Sequence, residues 1–150
     1  MEIDRNGLEV LDRTQCLDLL RCAHVGRIGL SSGALPLVVP VDFAVVGDRI
    51  VLHTARGTLL DLATRDTVVA FEADDIDRHD RSGWSVVVTG LAVDVPASDV
   101  PAHDRDRLAA WASGTDGRFV GITTHVVSGR RTRAGEPVPQ RADGHMEWSG

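Results

Sequence analysis

Two apolar, β-branched runs, residues 37–45 and 49–54, flank the pair Gly47-Asp48, whose chemistry suits the tight turn of a hairpin. The second run breaks into Ala55-Arg56-Gly57-Thr58 and then into a helical pattern. A hydroxyl, an arginine and free backbone amides therefore arrive together at a helix start, where a phosphate group binds well. A phosphate-bearing ligand is the first expectation.

The same punctuation organises the rest of the chain. Asp12 and Gln15 form a capping-box pair ahead of Cys16, Leu19, Leu20 and Ala23, which recur at one-face helical spacing until Gly26. Strands are expected over 27–30, 37–45, 49–54, 67–73, 84–95 and 119–127, with a bend at Gly90. Pro40 marks an irregularity or an unpaired amide in its strand, because proline cannot donate to a ladder. In the strand over 49–54, Ile50, Leu52 and Thr54 point one way, Val51 and His53 the other. Leu59, Leu62 and Ala63 read as a short helix, and 101–112 as another with Leu108, Trp111 and Ala112 inward. Residues 134–150 are polar and rich in Gly and Pro, so they read as a loose tail behind one domain over 1–133. About six strands joined as hairpins, with short helices, predict a mainly β, antiparallel barrel whose openings the helices plug.

Charge and cysteine usage narrow the function classes. All 16 basic residues are arginine and the net charge is -6, so there is no electrostatic footprint for nucleic acid or an anionic membrane. No apolar run approaches the roughly 20 residues of a membrane span, and the acid-bearing start shows no secretory signal; a cytoplasmic location is expected. Cys16 and Cys22 stand six apart on one helix, on different sides of it, which argues against a disulfide. Neither sits in an electropositive motif with a positioned histidine, and no Gly-x-Ser-x-Gly elbow occurs. Glu72, Asp74, Asp75, Asp77, His79 and Asp80 lack the glycine and closing glutamate of a calcium loop, so residues 74–82 read as a solvated acidic loop.

Read in order, Val25-Gly26-Arg27-Ile28, Leu35-Pro36, Val39-Pro40-Val41-Asp42-Phe43, His53-Thr54-Ala55-Arg56-Gly57-Thr58, Phe71-Glu72, Gly83-Trp84-Ser85-Val86 and Gly90-Leu91-Ala92 resemble the pyridoxamine 5'-phosphate oxidase-like, FMN-binding split-barrel family. Ser128-Gly129-Arg130-Arg131 is similar to the ending of its short actinobacterial-type members. The resemblance implies a six-stranded split barrel, a homodimer, and flavin sites across the dimer interface. It implies that Pro40, Val41, Asp42 and Phe43 lie against the isoalloxazine ring and meet its polar edge through backbone groups. It places His53 and Thr54 beside the ribityl chain and phosphate, and Gly57 and Thr58 around the phosphate. Trp84 and Ser85 would border the ring or come from the partner subunit. An oxidoreductase of small molecules follows from it, with the cofactor carrying the redox chemistry.

One departure stands out. The family commonly carries a lysine or arginine immediately after the Gly-Ser/Thr pair, where this chain has Leu59. The phosphate loses a charge-assisted partner of about 1.5–3 kcal/mol. Arg56 is the candidate replacement, with Arg27 and Arg49 behind it. The alternatives are weak flavin binding, a non-catalytic protein that binds a flavin or a deazaflavin, a deazaflavin-dependent reductase, or an empty pocket in a barrel that serves only as an interaction module. The residues by themselves also read more simply: Thr58 as an ordinary N-cap, His53 as a half-buried strand residue, Trp84 as barrel packing, Arg56 as a solvated charge.

Overall fold

The structure, a computed structural model, describes residues 1–111 and 116–133, without the Trp111 side chain. The expected tail over 134–150 and the inward-facing Trp111 and Ala112 lie outside the described residues. Every strand pairing among the described residues is antiparallel.

A short N-terminal hairpin, β1 (Glu2–Ile3) and β2 (Glu9–Leu11), leads into α1 (Arg13–Arg21). The capping box is reciprocal: the Gln15 amide donates to the Asp12 carboxylate at 2.8 Å and the Asp12 amide to Gln15 Oε1 at 2.9 Å. The helix ends at Cys22, earlier than Gly26 suggested. Gly26 is instead a strand residue of β3 (Val25–Ser32), where a Cβ would lie 2.4 Å from the Phe71 ring. Close packing, not helix termination, is what this glycine serves. Cys16 is buried, Cys22 is exposed, and both are free.

The expected strand over 37–45 is two strands. β4 (Leu35–Asp42) pairs with β3 along its length, and β5 (Ala44–Val46) pairs with β6 (Arg49–Ala55) around the Gly47-Asp48 turn. The break falls at Phe43, whose amide donates to His24 O at 2.9 Å, the last bond to the β3 side before the chain turns to pair with β6. Its ring sits fully buried, edge-on to Phe71 at 4.8 Å between centroids. Burying a side chain of that size is worth about 1.5–3 kcal/mol, enough to impose the break on an otherwise regular apolar run.

The last strand divides in the same way. β9 (Gly117–Ile122) pairs with β6 and with the second half of β8 (Gly83–Val95), whereas β10 (Val126–Arg131) pairs with the first half of β8 and with β2. The partner of β8 changes at Gly90, where a Cβ would fall 1.7 Å from Thr123 O. β7 (Thr67–Ile76) runs between β3 and β8. Glu72, Asp74 and Asp75 therefore belong to a strand, and the acidic loop shrinks to residues 77–82.

These pairings make a split barrel. One wall, in the order β4-β3-β7-β8-β10, and a second, β5-β6-β9, are joined by the long β8 and by the chain passing from β4 to β5. Among the described residues β4 pairs on one side only, and a strand edge is where Pro36 and Pro40 cost the ladder nothing. Ile28, Leu52, Phe71, Val86, Val88 and Ile122 fill the interior. α3 (Ala102–Trp111) covers the outside of the second wall through Leu108, which packs with Val51, Val95 and Phe119; both faces of β6 are thereby buried. α2 (Leu59–Ala63) turns Leu60 and Ala63 inward, one position out of register with the expected Leu59 and Leu62, which are exposed. No helix among the described residues is long and apolar enough to cross a membrane.

Candidate functional site

The end of β6 and the start of α2 form a polar corner. Thr58 is the N-cap: its hydroxyl accepts the Asp61 amide at 3.2 Å and donates to Ala55 O at 2.8 Å. The Thr54 hydroxyl, pointing off the interior face of β6, lies 3.1 Å from that of Thr58. Gly57, at φ +80°, takes a left-handed conformation that favours glycine, and nothing lies within 4 Å of where a Cβ would project. The amides of Leu59 and Leu60 have no described partner, as befits the first turn of a helix.

A buried ion pair, invisible to the motif reading, holds this corner. Asp61 is 1% exposed, yet its carboxylate receives the Arg118 Nε at 2.5 Å, the Arg65 Nη2 at 3.0 Å and the Gly57 amide at 2.8 Å. The Arg118 guanidinium also donates to Asp61 O at 2.7 Å, to the Thr64 hydroxyl at 2.9 Å and to Asp94 at 2.6 Å. Hydrogen bonding from Arg118 holds the Asp61 carboxyl down at about 2, so it is ionised at neutral pH. Each partner has a local signal, the Thr58-x-x-Asp61 spacing of a helix start and an arginine set inside the apolar strand Gly117–Ile122, but nothing in the chain joins the two.

The structure gathers Thr54, Arg56, Gly57 and Thr58 and separates the other expected residues from them. His53 points off the opposite face of β6, edge-on to Phe119 at 5.1 Å, with Nδ1 buried and unpartnered. Burial pulls its pKa below the ordinary value, so the ring is neutral at pH 7. Pro40 lies on the outer face of β4, Val41 on its inner face, and Phe43 in the core. The Asp42 carboxylate is taken by Arg107 of α3 at 2.6 Å, which also donates to Phe43 O at 2.6 Å. Trp84 packs against the interior and Ser85 faces outward, so the two cannot border a ligand from the same side.

The three candidate replacement cations differ. Arg56 flanks the corner, half-exposed, with its Nε on Asp116 at 3.0 Å. Arg49 starts β6, six residues from Ala55 and so about 20 Å away. Arg27 lies on the outer sheet face, 3.8 Å from Glu72 and 3.6 Å from Asp74. Arg130 and Arg131 pair within the chain with Asp4 at 3.1 Å and Glu9 at 3.0 Å. The corner thus offers the anionic end of a nucleotide the two free amides of the first helical turn and open space over Gly57, with Arg56 beside them; the Thr58 hydroxyl proton is held by Ala55 O and would have to turn to join them.

β4 runs on through Phe43 into β5, which pairs with β6 from Ala44 and Val51, and β4 itself comes close to β6 without pairing with it.

A family model described as pyridoxamine 5'-phosphate oxidase matches residues 12–131. The uncharacterised Mycobacterium tuberculosis protein Rv0080 is 36% identical over 134 residues, 86% of this chain and 88% of its own. Among solved structures, the FAD binding protein of Mycobacterium smegmatis superposes with a TM-score of 0.65 at 31% identity, over 84% of this chain and 99% of that one. A FAD-binding protein of Mesorhizobium loti superposes with a TM-score of 0.71 at 21% identity, over 84% and 99%, and shows the shared fold. With the match spanning both walls of the barrel, α2 and the polar corner between them, the chain belongs to the pyridoxamine 5'-phosphate oxidase family of flavin-binding split barrels.

Proposed function

We propose that this chain, as one split-barrel domain over 1–133, is a homodimeric flavoprotein that acts as an oxidoreductase on a small-molecule substrate, with FMN at the subunit interface. The supporting observation is the corner of Thr54, Arg56, Gly57 and Thr58 between the end of β6 and the start of α2, in a chain of this family. A bound flavin supplies hydride or single-electron transfer. The chain's own residues supply the rest. Thr54, Thr58 and the Leu59 and Leu60 amides hold the anionic end, Arg56 lends its charge, and backbone groups of Pro40 to Phe43 orient the ring.

FAD is the second reading, because the Mycobacterium smegmatis relative binds it and because Leu59 withholds the cation that a terminal phosphate dianion demands. The homodimer draws its support from the outer sheet face, where Val25, Val38, Val68, Val87 and Val126 are all exposed. Absorbance of the purified protein, followed by titration with FMN and with FAD, tests the proposal. A flavin band, or saturable binding of either nucleotide, is expected. A colourless protein that binds neither overturns it.

A further inference from the structure

The outer face of the first wall is not uniformly apolar. Cross-strand register sets Pro40, Arg27, Glu72, Val87 and Ser128 in one row, and Val38, Gly29, Ala70, Thr89 and Val126 in the next. Val38 is 73% exposed, Val126 61% and Val87 42%, so an apolar surface surrounds an island made of Arg27, Glu72 and Asp74. Within that island Glu72 Oε1 is buried, and among the described residues no donor reaches it. Its neighbour on the same strand is Asp74, a second carboxylate. Arg27 of β3 is the cation beside them. Across the row, Pro40 of β4, Val87 of β8 and Ser128 of β10 carry no charge, and Arg130 of β10 is engaged by Asp4.

We infer that Glu72 is the proton-binding group of the interface between two copies of this chain, each protomer taking up one proton on Glu72 as the outer faces close on each other. The inference rests on the homodimer proposed above and adds its linkage to pH. A second copy is the occupant that the charges favour. A two-fold interface lays one patch on itself, and this patch carries both signs, so Arg27 of each copy can meet the acids of the other. Pro36 and Pro40 disfavour strand addition at the β4 edge that borders this face. The count of charges then decides the protonation. Each copy brings one arginine and two carboxylates, so closing the interface without protons buries an excess negative charge on either side of the axis, which is costly in a low-dielectric contact. Protonating Glu72 leaves Arg27 balanced by Asp74 and gives the orphaned carboxyl a hydrogen to share. Burial, together with Asp74, already pushes the Glu72 carboxyl up to about 7 in the single chain, so the proton is available near neutrality.

Sedimentation equilibrium of the intact protein between pH 6 and 8.5 tests this. With two protons taken up per dimer, the association constant should fall above pH 7 by up to about 100-fold per pH unit, about tenfold for each proton. Glu72→Gln, neutral at every pH, should dimerise as tightly at pH 8.5 as the parent does at pH 6. Val38→Asp, at an exposed position where folding is not at risk, should be monomeric throughout. A dimer whose constant does not change with pH overturns the inference and leaves the homodimer standing. Persistence of the pH dependence in Glu72→Gln, or normal dimerisation of Val38→Asp, also overturns it. A parent protein that is monomeric at every pH removes the homodimer as well.

Discussion

Arg118 and Asp61, fifty-seven residues apart in the chain, meet at 2.5 Å behind the first turn of α2, and the pair is almost completely buried. Their bond fixes the distance between β9 and the helix whose first turn forms the polar corner. Removing one partner strands the other charge out of water, so Asp61→Asn or Arg118→Met should each cost about 3–5 kcal/mol of unfolding free energy. The double variant should lose less than the sum of the two, because its second substitution removes the stranded charge. Urea unfolding of the four proteins measures the coupling, and strictly additive losses would contradict it.

Acid should release the same restraint. The folded Asp61 carboxyl titrates at about 2, below its ordinary value of 3.8, because Arg118 favours the ionised form. A depressed folded pKa contributes stability that is fully present above the unfolded value and is lost as pH falls through the folded one. The contribution of Asp61 should therefore be intact at pH 5 and decline from about pH 4 towards pH 2. Asp61→Asn, already less stable, should show a flatter dependence over that window in thermal melts recorded at successive pH values.

How much of this was legible in the chain depended on the distance over which each cause acts. The capping box of Asp12 and Gln15, the Gly47-Asp48 turn and the N-cap at Thr58 are local devices, and the structure has each of them where the residues placed them. Phe43 and Gly26 were misread because their causes are remote: both answer to the Phe71 ring, which no window around either residue contains. The single strand expected over 119–127 failed for a similar reason. Thr123 turns the chain away at the point where Gly90 lets its carbonyl approach β8. At the site, the hydroxyls and the glycine could be read from their spacing. The ion pair beneath them could not, since Arg118 looks like a misplaced charge until the fold brings Asp61 to it.

Leu59 and Arg56 bracket the corner and should move flavin affinity in opposite directions. Leu59 is exposed, so Leu59→Arg adds a cation beside the expected phosphate without disturbing the core. A charge-assisted hydrogen bond of about 1.5 kcal/mol should tighten FMN roughly tenfold. Arg56→Ala should weaken FMN by about tenfold, since Arg65 and Arg118 are held by Asp61, while Arg56 pairs with the exposed Asp116 through Nε. Fluorescence titration with FMN reads both. Riboflavin, which has no phosphate, should respond to neither substitution; an equal response would place the effect on the ring and not on the anion.

Gly90 should prove the least replaceable of the glycines in the barrel wall. It sits where β8 leaves β10 for β9, and a Cβ there would overlap Thr123 O at 1.7 Å, an atom of the backbone that cannot rotate aside. The same Thr123 accepts the Leu91 amide through its hydroxyl at 2.8 Å and donates its own amide to Leu91 O at 3.0 Å, so moving it away breaks both bonds. Gly90→Ala should therefore cost about 3 kcal/mol or more, at the top of the range for overpacking. Gly29→Ala supplies the contrast on the same wall: its Cβ would meet Ala70 Cβ at 3.4 Å, close to ordinary contact, in a strand with no positive φ. That change should lie within about 0.5 kcal/mol of the parent, the usual range for a surface substitution. Urea midpoints for the two variants separate the cases, and a Gly90→Ala protein as stable as Gly29→Ala would show that the fork of β8 does not depend on this close approach.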